Sequence, residues 1–367
     1  MLLSICPFLK GVGGHDIPYQ QSLQAALKGN AQVRVLGTTA AKNIVLPEDF
    51  LPILPVYKSS MSIEYWINYV SAIRKELRKP IMSNGFLFIE SFGLGHLLGL
   101  AIAFMLSTAK IDGLIILIRS NLILDKLYKE VTLKGVLLLY QKFLKLKIVF
   151  TSDSELVSIF LNKKLKVRAV VLPIPHADVI ITKQLHQMPE SYGSMVCWMP
   201  GSSRPEKKYD VAAKLFVNSA KLNHHTLWMP GSLKHLLPLQ GSHIFFEKPL
   251  TENEYQNNLI GCDVILLPYD PRVYEMATSG IFVECIIAGK YPITSQGSWM
   301  SHELSKYGLQ NLGINWEAKN SESELNKAFM MLYEKKTLDR LKKMREDYIK
   351  FHNKTVFAKI FSPLLQT

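Results

Sequence analysis

The stretch Val196-Cys-Trp-Met-Pro-Gly-Ser-Ser-Arg-Pro-Glu-Lys-Lys208 begins as an apolar run, breaks at Pro200-Gly201 and leads into a helix-length pattern near Asp210–Lys221. A short apolar run closed by Pro and Gly reads as a buried strand, and a strand feeding a helix is half of a strand–helix–strand unit. The theme continues outward on both sides. Thr226–Met229, His243–Phe246 and Val264–Leu267 are strand-like runs downstream. Upstream, Leu2–Phe8 precedes the Gly11–Gly14 turn and a helix near Ile17–Leu27, and Gln32–Leu36 is a second strand. Met61–Leu77 has helical spacing, with Ile63, Trp66, Ile67, Val70 and Ile73 on one face. Phe86–Ile89, Gly113–Ile118, Ile148–Thr151 and Val167–Leu172 add further short apolar runs. Such alternation predicts parallel sheets wrapped by helices.

With 367 residues the chain is long for one core, and two strand–helix blocks each open with a strand and a Gly-containing turn. The expected fold class is therefore α/β, with two Rossmann-like domains whose parallel sheets face a central cleft. An aperiodic stretch with Pro173, Pro175 and Pro189 puts the linker near 175–192, between domains at 1–180 and 185–353. Ser323–Asn353 reads as one charged helix with Leu325, Phe329, Leu332, Leu338 and Leu341 on its apolar side. The tail 354–367 is apolar again; such a tail often crosses back to brace the first domain, which sequence alone does not show.

Composition excludes several classes. A hydrophobic fraction of 48% with 10% aromatics rules out a mainly disordered chain. Cys6, Cys197, Cys262 and Cys285 are scattered, with neither a CxxC pair nor a nearby His cluster, which argues against a disulfide framework or a zinc site and fits a reducing cytoplasm. The net charge of +13 is lopsided: residues 1–185 hold 22 Lys/Arg against 12 Asp/Glu. That excess points to an anionic partner for the first half. Met1–Leu9 lacks the basic start and cleavage site of a signal peptide and reads as a first strand. Phe86–Leu106 has the length of a membrane span, but Glu90, Gly93, Gly95 and His96 interrupt it, so it reads as a buried strand turning into a buried helix.

Two constellations carry chemistry. After the strand at Val196, the turn Gly201–Lys208 exposes backbone amides near a helix start, and Arg204 and Lys207 add two cations spaced for one diphosphate. After Val264–Leu267 come Pro268-Tyr269-Asp270, Tyr274 and Thr278-Ser279-Gly280, opening a helix that runs to Ala288-Gly289. Ser279 and Gly280 would sit at its N-terminus, where dipole and free amides favour phosphate oxygens. Glu284, one turn on, is a carboxylate on an otherwise apolar helix, costly to bury without a partner and placed to reach a sugar hydroxyl. Elsewhere, Gly11-Val-Gly-Gly14 does not fit G-x-G-x-x-G and serves equally as a tight turn. His96 could orient an acceptor or sugar, or be a satisfied core histidine. The Lys126–Lys147 region alternates six lysines with Leu, Val, Tyr and Phe, the pattern of a basic amphipathic helix for an anionic membrane surface or of an ordinary surface helix.

Together these residues resemble the GT-B glycosyltransferases, most closely glycosyltransferase family 4. Gly201-Ser-Ser-Arg204-Pro-Glu-Lys207 is similar to that family's Gly-x-x-Arg-x-x-Lys diphosphate loop. Leu250–Tyr255 through Asp263 to Tyr269-Asp270 is similar to its approach to the nucleotide, and Thr278-Ser279-Gly280 with Glu284 to its donor helix, where the glutamate holds the ribose. Gly13-Gly14 matches the N-terminal glycine turn near donor phosphates and acceptor. Two departures stand out: eight residues separate Glu275 from Glu284 where the family has seven, and Lys208 occupies a usual glycine position. The resemblance implies a retaining transferase moving a sugar from a UDP- or GDP-sugar to a glycan or lipid-linked acceptor, with Arg204 and Lys207 catalytic. It also implies no cofactor, no divalent metal and no nucleic-acid partner; the lack of a DxD motif agrees. Two alternatives remain at this level: another activity on the same fold, such as a nucleotide-sugar epimerase or phosphorylase, and a non-catalytic basic protein binding membrane or nucleic acid. The second lacks the interleaved aromatics, zinc knuckle or helix-turn-helix of nucleic-acid binders.

Overall fold

The computed structural model describes residues 1–9, 16–41, 49–57, 62–82, 84–177, 193–222, 224–236, 243–248 and 250–366. The chain divides into two compact units, one of Met1–His176 with Lys354–Thr367 and one of Ala177–Asn353.

In the first unit the chain runs β1 (Leu2–Ile5), α1 (Asp16–Leu27), β2 (Val33–Thr38), β3 (Phe50–Leu54), α2 (Ile63–Leu77), β4 (Gly85–Ile89) and α3 (Leu94–Met105). It continues as β5 (Ile111–Leu117), α4 (Leu127–Leu138), β6 (Lys147–Ser152), α5 (Glu155–Leu165) and β7 (Val170–Val171). The seven strands pair in parallel in the order β3-β2-β1-β4-β5-β6-β7. β1 and β4 are buried at every residue, as continuous apolar runs must be when helices cover both sheet faces. The strand–helix reading of Phe86–Leu106 holds: β4 ends at Ile89, α3 starts at Leu94, and among the described residues no helix is long and apolar enough to cross a membrane.

The glycines that break this run have a packing reason. A Cβ built on Gly95 would lie 2.6 Å from the Trp66 ring and one on Gly99 2.9 Å from Tyr69, so the aromatics of α2 pack against a bare strip of α3. Another expectation is corrected. The basic stretch Asn121–Lys147 is not one amphipathic helix: α4 gives way to a π-turn at Leu139–Phe143, and Lys147 already belongs to β6.

The second unit runs β8 (Val196–Trp198), α6 (Tyr209–Asn218), β9 (Thr226–Pro230), β10 (His243–Phe246), α7 (Glu252–Gly261), β11 (Val264–Leu267), α8 (Pro271–Tyr274) and α9 (Gly280–Ile287). β12 (Tyr291–Ser295), α10 (Trp299–Lys306), β13 (Gly313–Ile314), α11 (Ser321–Met331) and α12 (Lys335–Phe351) complete it. Its sheet is parallel in the order β10-β9-β8-β11-β12-β13. The helix expected over Ser323–Asn353 is thus two helices, broken at Leu332–Glu334. A last helix, α13 (Lys354–Phe361), belongs to the first unit, where Phe357 and Phe361 are fully buried with Leu2, Tyr19, Leu23 and Phe88. The linker expected near 175–192 falls mostly on 178–192, outside the described residues.

Candidate functional site

Both sheets have the strand order of a doubly wound fold, which reverses direction beside the first strand; ligands of such sheets bind outside the strand C-termini at that point. In the second unit this point lies between β8 and β11. Pro200-Gly201 follows β8 and Tyr269-Asp270 follows β11, so the two sequence constellations meet there.

The turn after β8 is shaped by Gly201 at φ +80°, a backbone conformation that favours glycine. The same glycine leaves room for Lys207, whose Nζ would stand 3.1 Å from a Cβ at that position. Lys207 is only 5% exposed; its ammonium donates to the Pro200 carbonyl at 3.3 Å and stands 5.3 and 5.4 Å from the Tyr209 and Tyr269 ring centroids. No carboxylate among the described residues forms an ion pair with it. Burial, with the nearby Arg204 charge, pushes its pKa down to about 7. The Glu206 charge offsets only part of this, so the buried ammonium, facing π-clouds and one carbonyl, has no ion-paired anion to balance its desolvation. Tyr209, which the sequence did not mark, fixes this corner by donating its hydroxyl to Pro200 O at 2.6 Å.

Arg204 is half exposed on the rim, 3.2 Å from the Glu206 carboxylate and donating to Tyr274 Oη at 3.3 Å. The Asp270 amide donates to Glu206 O at 2.8 Å, which ties the first turn to the second. Lys208 has φ +46°, a left-handed geometry that favours glycine; its ammonium pairs with Glu317 at 2.6 Å.

The second turn delivers α9. Ser279 caps it, accepting from Phe282 N at 3.3 Å, and hydrogen bonds Tyr269. Gly280 and Ile281, as the first two helical residues, have amides without intrahelical acceptors, and Ile281 lies 3.9 Å from a Cβ built on Gly201. Thr278 is half-buried just ahead of the cap. Every residue of α9 is buried, Glu284 included, and Gly289 at φ +72° ends it. Glu284 Oε2 accepts a hydrogen bond from the Tyr255 hydroxyl of α7. Burial pushes the Glu284 pKa up to about 7 against the lowering effect of that bond. Tyr255 is the partner that the sequence left unidentified. Arg204, Lys207, Tyr269, Ser279 and Gly280 thus converge, with Glu284 one helical turn deeper, whereas Glu275 is exposed at the end of α8.

In the first unit His96 is 1% exposed, and both ring nitrogens are engaged: Nδ1 accepts from the Gly93 amide at 3.0 Å and Nε2 lies 2.8 Å from Tyr65 Oη. Burial lowers its pKa to about 4, so it stands as a neutral core ring capping α3. Gly13 and Gly14 lie outside the described residues. A cluster that the sequence did not mark occupies the switch point of this sheet. Glu90, fully buried after β4, meets the Arg119 guanidinium at 2.5 Å and accepts from Gln20 and, at 3.6 Å, from Cys6. Arg119 also lies 3.8 Å from Asp153 and 4.4 Å over the Tyr19 ring. Beside it a cavity of 480 Å³ is lined by Phe92, Leu94, Arg119, Leu122, Tyr128 and Lys129, among others.

No protein-family model matches the chain, and no curated protein does. Solved structures match it from end to end. Sucrose-phosphate synthase from Thermosynechococcus elongatus is 11% identical with a TM-score of 0.69, covering 100% of this chain and 98% of that one. Anabaena HepE, solved in complex with UDP and glucose, is 12% identical with a TM-score of 0.68 and full coverage of both chains. A glycosyltransferase from Rickettsia africae is 15% identical with a TM-score of 0.66, covering 100% and 97%. The chain has the GT-B fold. Within the GT-B fold of this chain, the seven-stranded sheet belongs to the first unit and the six-stranded sheet, with the Lys207–Glu284 constellation, to the second.

Proposed function

We propose that this protein is a retaining glycosyltransferase of the family 4 type. It transfers a sugar from a UDP- or GDP-sugar to a glycan or lipid-linked acceptor and draws on protein charge rather than a divalent metal. The observation that carries the reading is Lys207: an ammonium buried without an ion-paired carboxylate, beside the open amide end of α9. A diphosphate placed there would receive the Lys207 charge, the Gly280 and Ile281 amides and the rim guanidinium of Arg204. The HepE structure with UDP and glucose shows that a protein of this fold binds such a ligand.

The chemistry follows from where charge develops. The acceptor hydroxyl oxygen bonds to the anomeric carbon as the bond from that carbon to the diphosphate oxygen breaks; the electron pair stays on the diphosphate, which takes up the acceptor's proton, and fixed cations and dipoles stabilise the charge that builds up there. The leaving group's departure drives the step, so no protein nucleophile is assigned. Glu284, oriented by Tyr255, accepts hydrogen bonds from the ribose, with Tyr269 and Thr278 lining the approach. His96 is left out of this assignment because its nitrogens are engaged within the core.

A thermal-shift screen against UDP, GDP, ADP and dTDP and their sugars tests the reading, since a ligand that binds only the native state raises the melting temperature by mass action. One base is expected to stand out. A flat response across all of them would refute the donor site.

A further inference from the structure

Lys208 stands at the joint between the turn that carries Lys207 and helix α6. Its amide closes the turn by donating to the Pro205 carbonyl at 3.2 Å, and its own carbonyl accepts from the Val211 and Ala212 amides at the start of α6. That joint requires φ +46°, a conformation that costs a lysine steric energy and a glycine none. Lys145 and Lys166 share the left-handed backbone, but both are exposed and form no ion pair among the described residues. A strained position kept by a side chain with work to do is a pointer to function.

The Lys208 side chain is only 15% exposed, and its ammonium stands between two carboxylates, 2.6 Å from Glu317 and 3.8 Å from Asp270. Asp270 follows β11 and Glu317 follows β13, so one side chain joins the loops after three strands of the second sheet. Asp270 is buried and already has a counter-ion in Arg272, at 2.6 Å. What Lys208 adds is the tie to Glu317, whose amide donates to Asn315 Oδ1 at 3.3 Å within its own turn. The residues next to this knot are the walls of the donor site. Lys207 precedes Lys208, and Tyr269, whose ring centroid lies 5.4 Å from the Lys207 ammonium, precedes Asp270.

We propose that Lys208 is a positioning residue: its ammonium clasps the loops after β8, β11 and β13, so that Lys207 and Tyr269 stand in place before a diphosphate arrives. Groups fixed in advance lose less freedom on binding, and the gain appears as affinity. A partly exposed ion pair contributes little to folding, so the clasp is read in binding and in local opening rather than in global stability. The inference rests on the donor site proposed above.

Two variants test it in the full chain. Lys208→Gly suits the left-handed backbone and removes the clasp; Glu317→Gln leaves the lysine and removes its anion. In calorimetric titration with UDP and with GDP, each variant should bind the nucleotide that the parent binds about fivefold more weakly, and the double variant no more weakly than Lys208→Gly. The sign for Glu317→Gln separates a clasp from plain charge, because loss of a carboxylate at the edge of an anion site would by charge alone tighten binding. Both variants should melt close to the parent. In the ligand-free protein, hydrogen exchange at the Asp270 and Glu317 amides should be faster in both. Unchanged affinity in both variants, tighter binding by Glu317→Gln, or unchanged exchange at those amides would each overturn the clasp. A parent that binds neither nucleotide would refute the donor reading instead, and the exchange rates, measured without ligand, would still decide whether the loops are clasped.

Discussion

At the residue scale, Lys207, Glu284 and Glu90 are buried ionisable groups whose environments oppose their charge. Lys207, depressed to about 7 from 10.5, contributes stability that is present above pH 10.5 and lost as pH falls through about 7. Across that window the unfolded chain binds more protons, so the ligand-free protein should become more stable as pH rises. A diphosphate requires the ammonium, so its affinity should fall over the same window; replacing the lysine by the apolar, similarly sized Lys207→Met should flatten both slopes in paired melting and calorimetric titrations. Glu284 has the opposite sign. Raised from 4.5 to about 7, it contributes stability below 4.5 that is lost as pH rises through about 7, so Glu284→Gln should gain stability relative to the parent across that interval. Glu90, also raised to about 7, follows the same sign. Sequence reasoning reached Glu284 and missed Glu90, although both are carboxylates in apolar runs. Glu284 lay beside a helix start that suggested a ligand, whereas the partners of Glu90 stand far off in the chain, at Gln20 and Arg119.

At the element scale, strands and helices with strong local patterns were legible, and those decided by neighbours were not. β3 contains Pro52 and reads poorly as a strand, but it is an edge strand, where a missing donor is tolerated. The break between α11 and α12 has neither Pro nor Gly to announce it. Gly95 and Gly99 looked like interruptions of a span, but their meaning lies in the rings of α2 that cover them. Gly95→Ala, which forces Trp66 aside, should destabilise the fold by about 1–3 kcal/mol in urea denaturation. Ser279→Ala removes the α9 cap and should cost about 1 kcal/mol, with weaker nucleotide binding as a separate effect.

At the scale of the whole molecule, two doubly wound sheets and a C-terminal helix returned to the first unit make chain order and spatial order differ. Phe361 lies in the core of a unit whose strands begin at residue 2. Phe361→Ala should therefore destabilise by about 3–5 kcal/mol, and hydrogen exchange should register the loss in β1, β4 and α1 rather than in the second unit. The parallel, two-block character was legible because alternation is a local signal. The convergence of the loops after β8 and β11, some seventy residues apart, is not a local signal and was expected only through the family resemblance. That convergence is the basis for a donor diphosphate on Lys207. Isothermal titration of the parent and Lys207→Met with the nucleoside diphosphate selected by the screen tests it most directly. The parent should bind it, and the variant, still folded, should bind it about thirtyfold more weakly. Equal affinities in the two proteins would contradict the placement of the donor site.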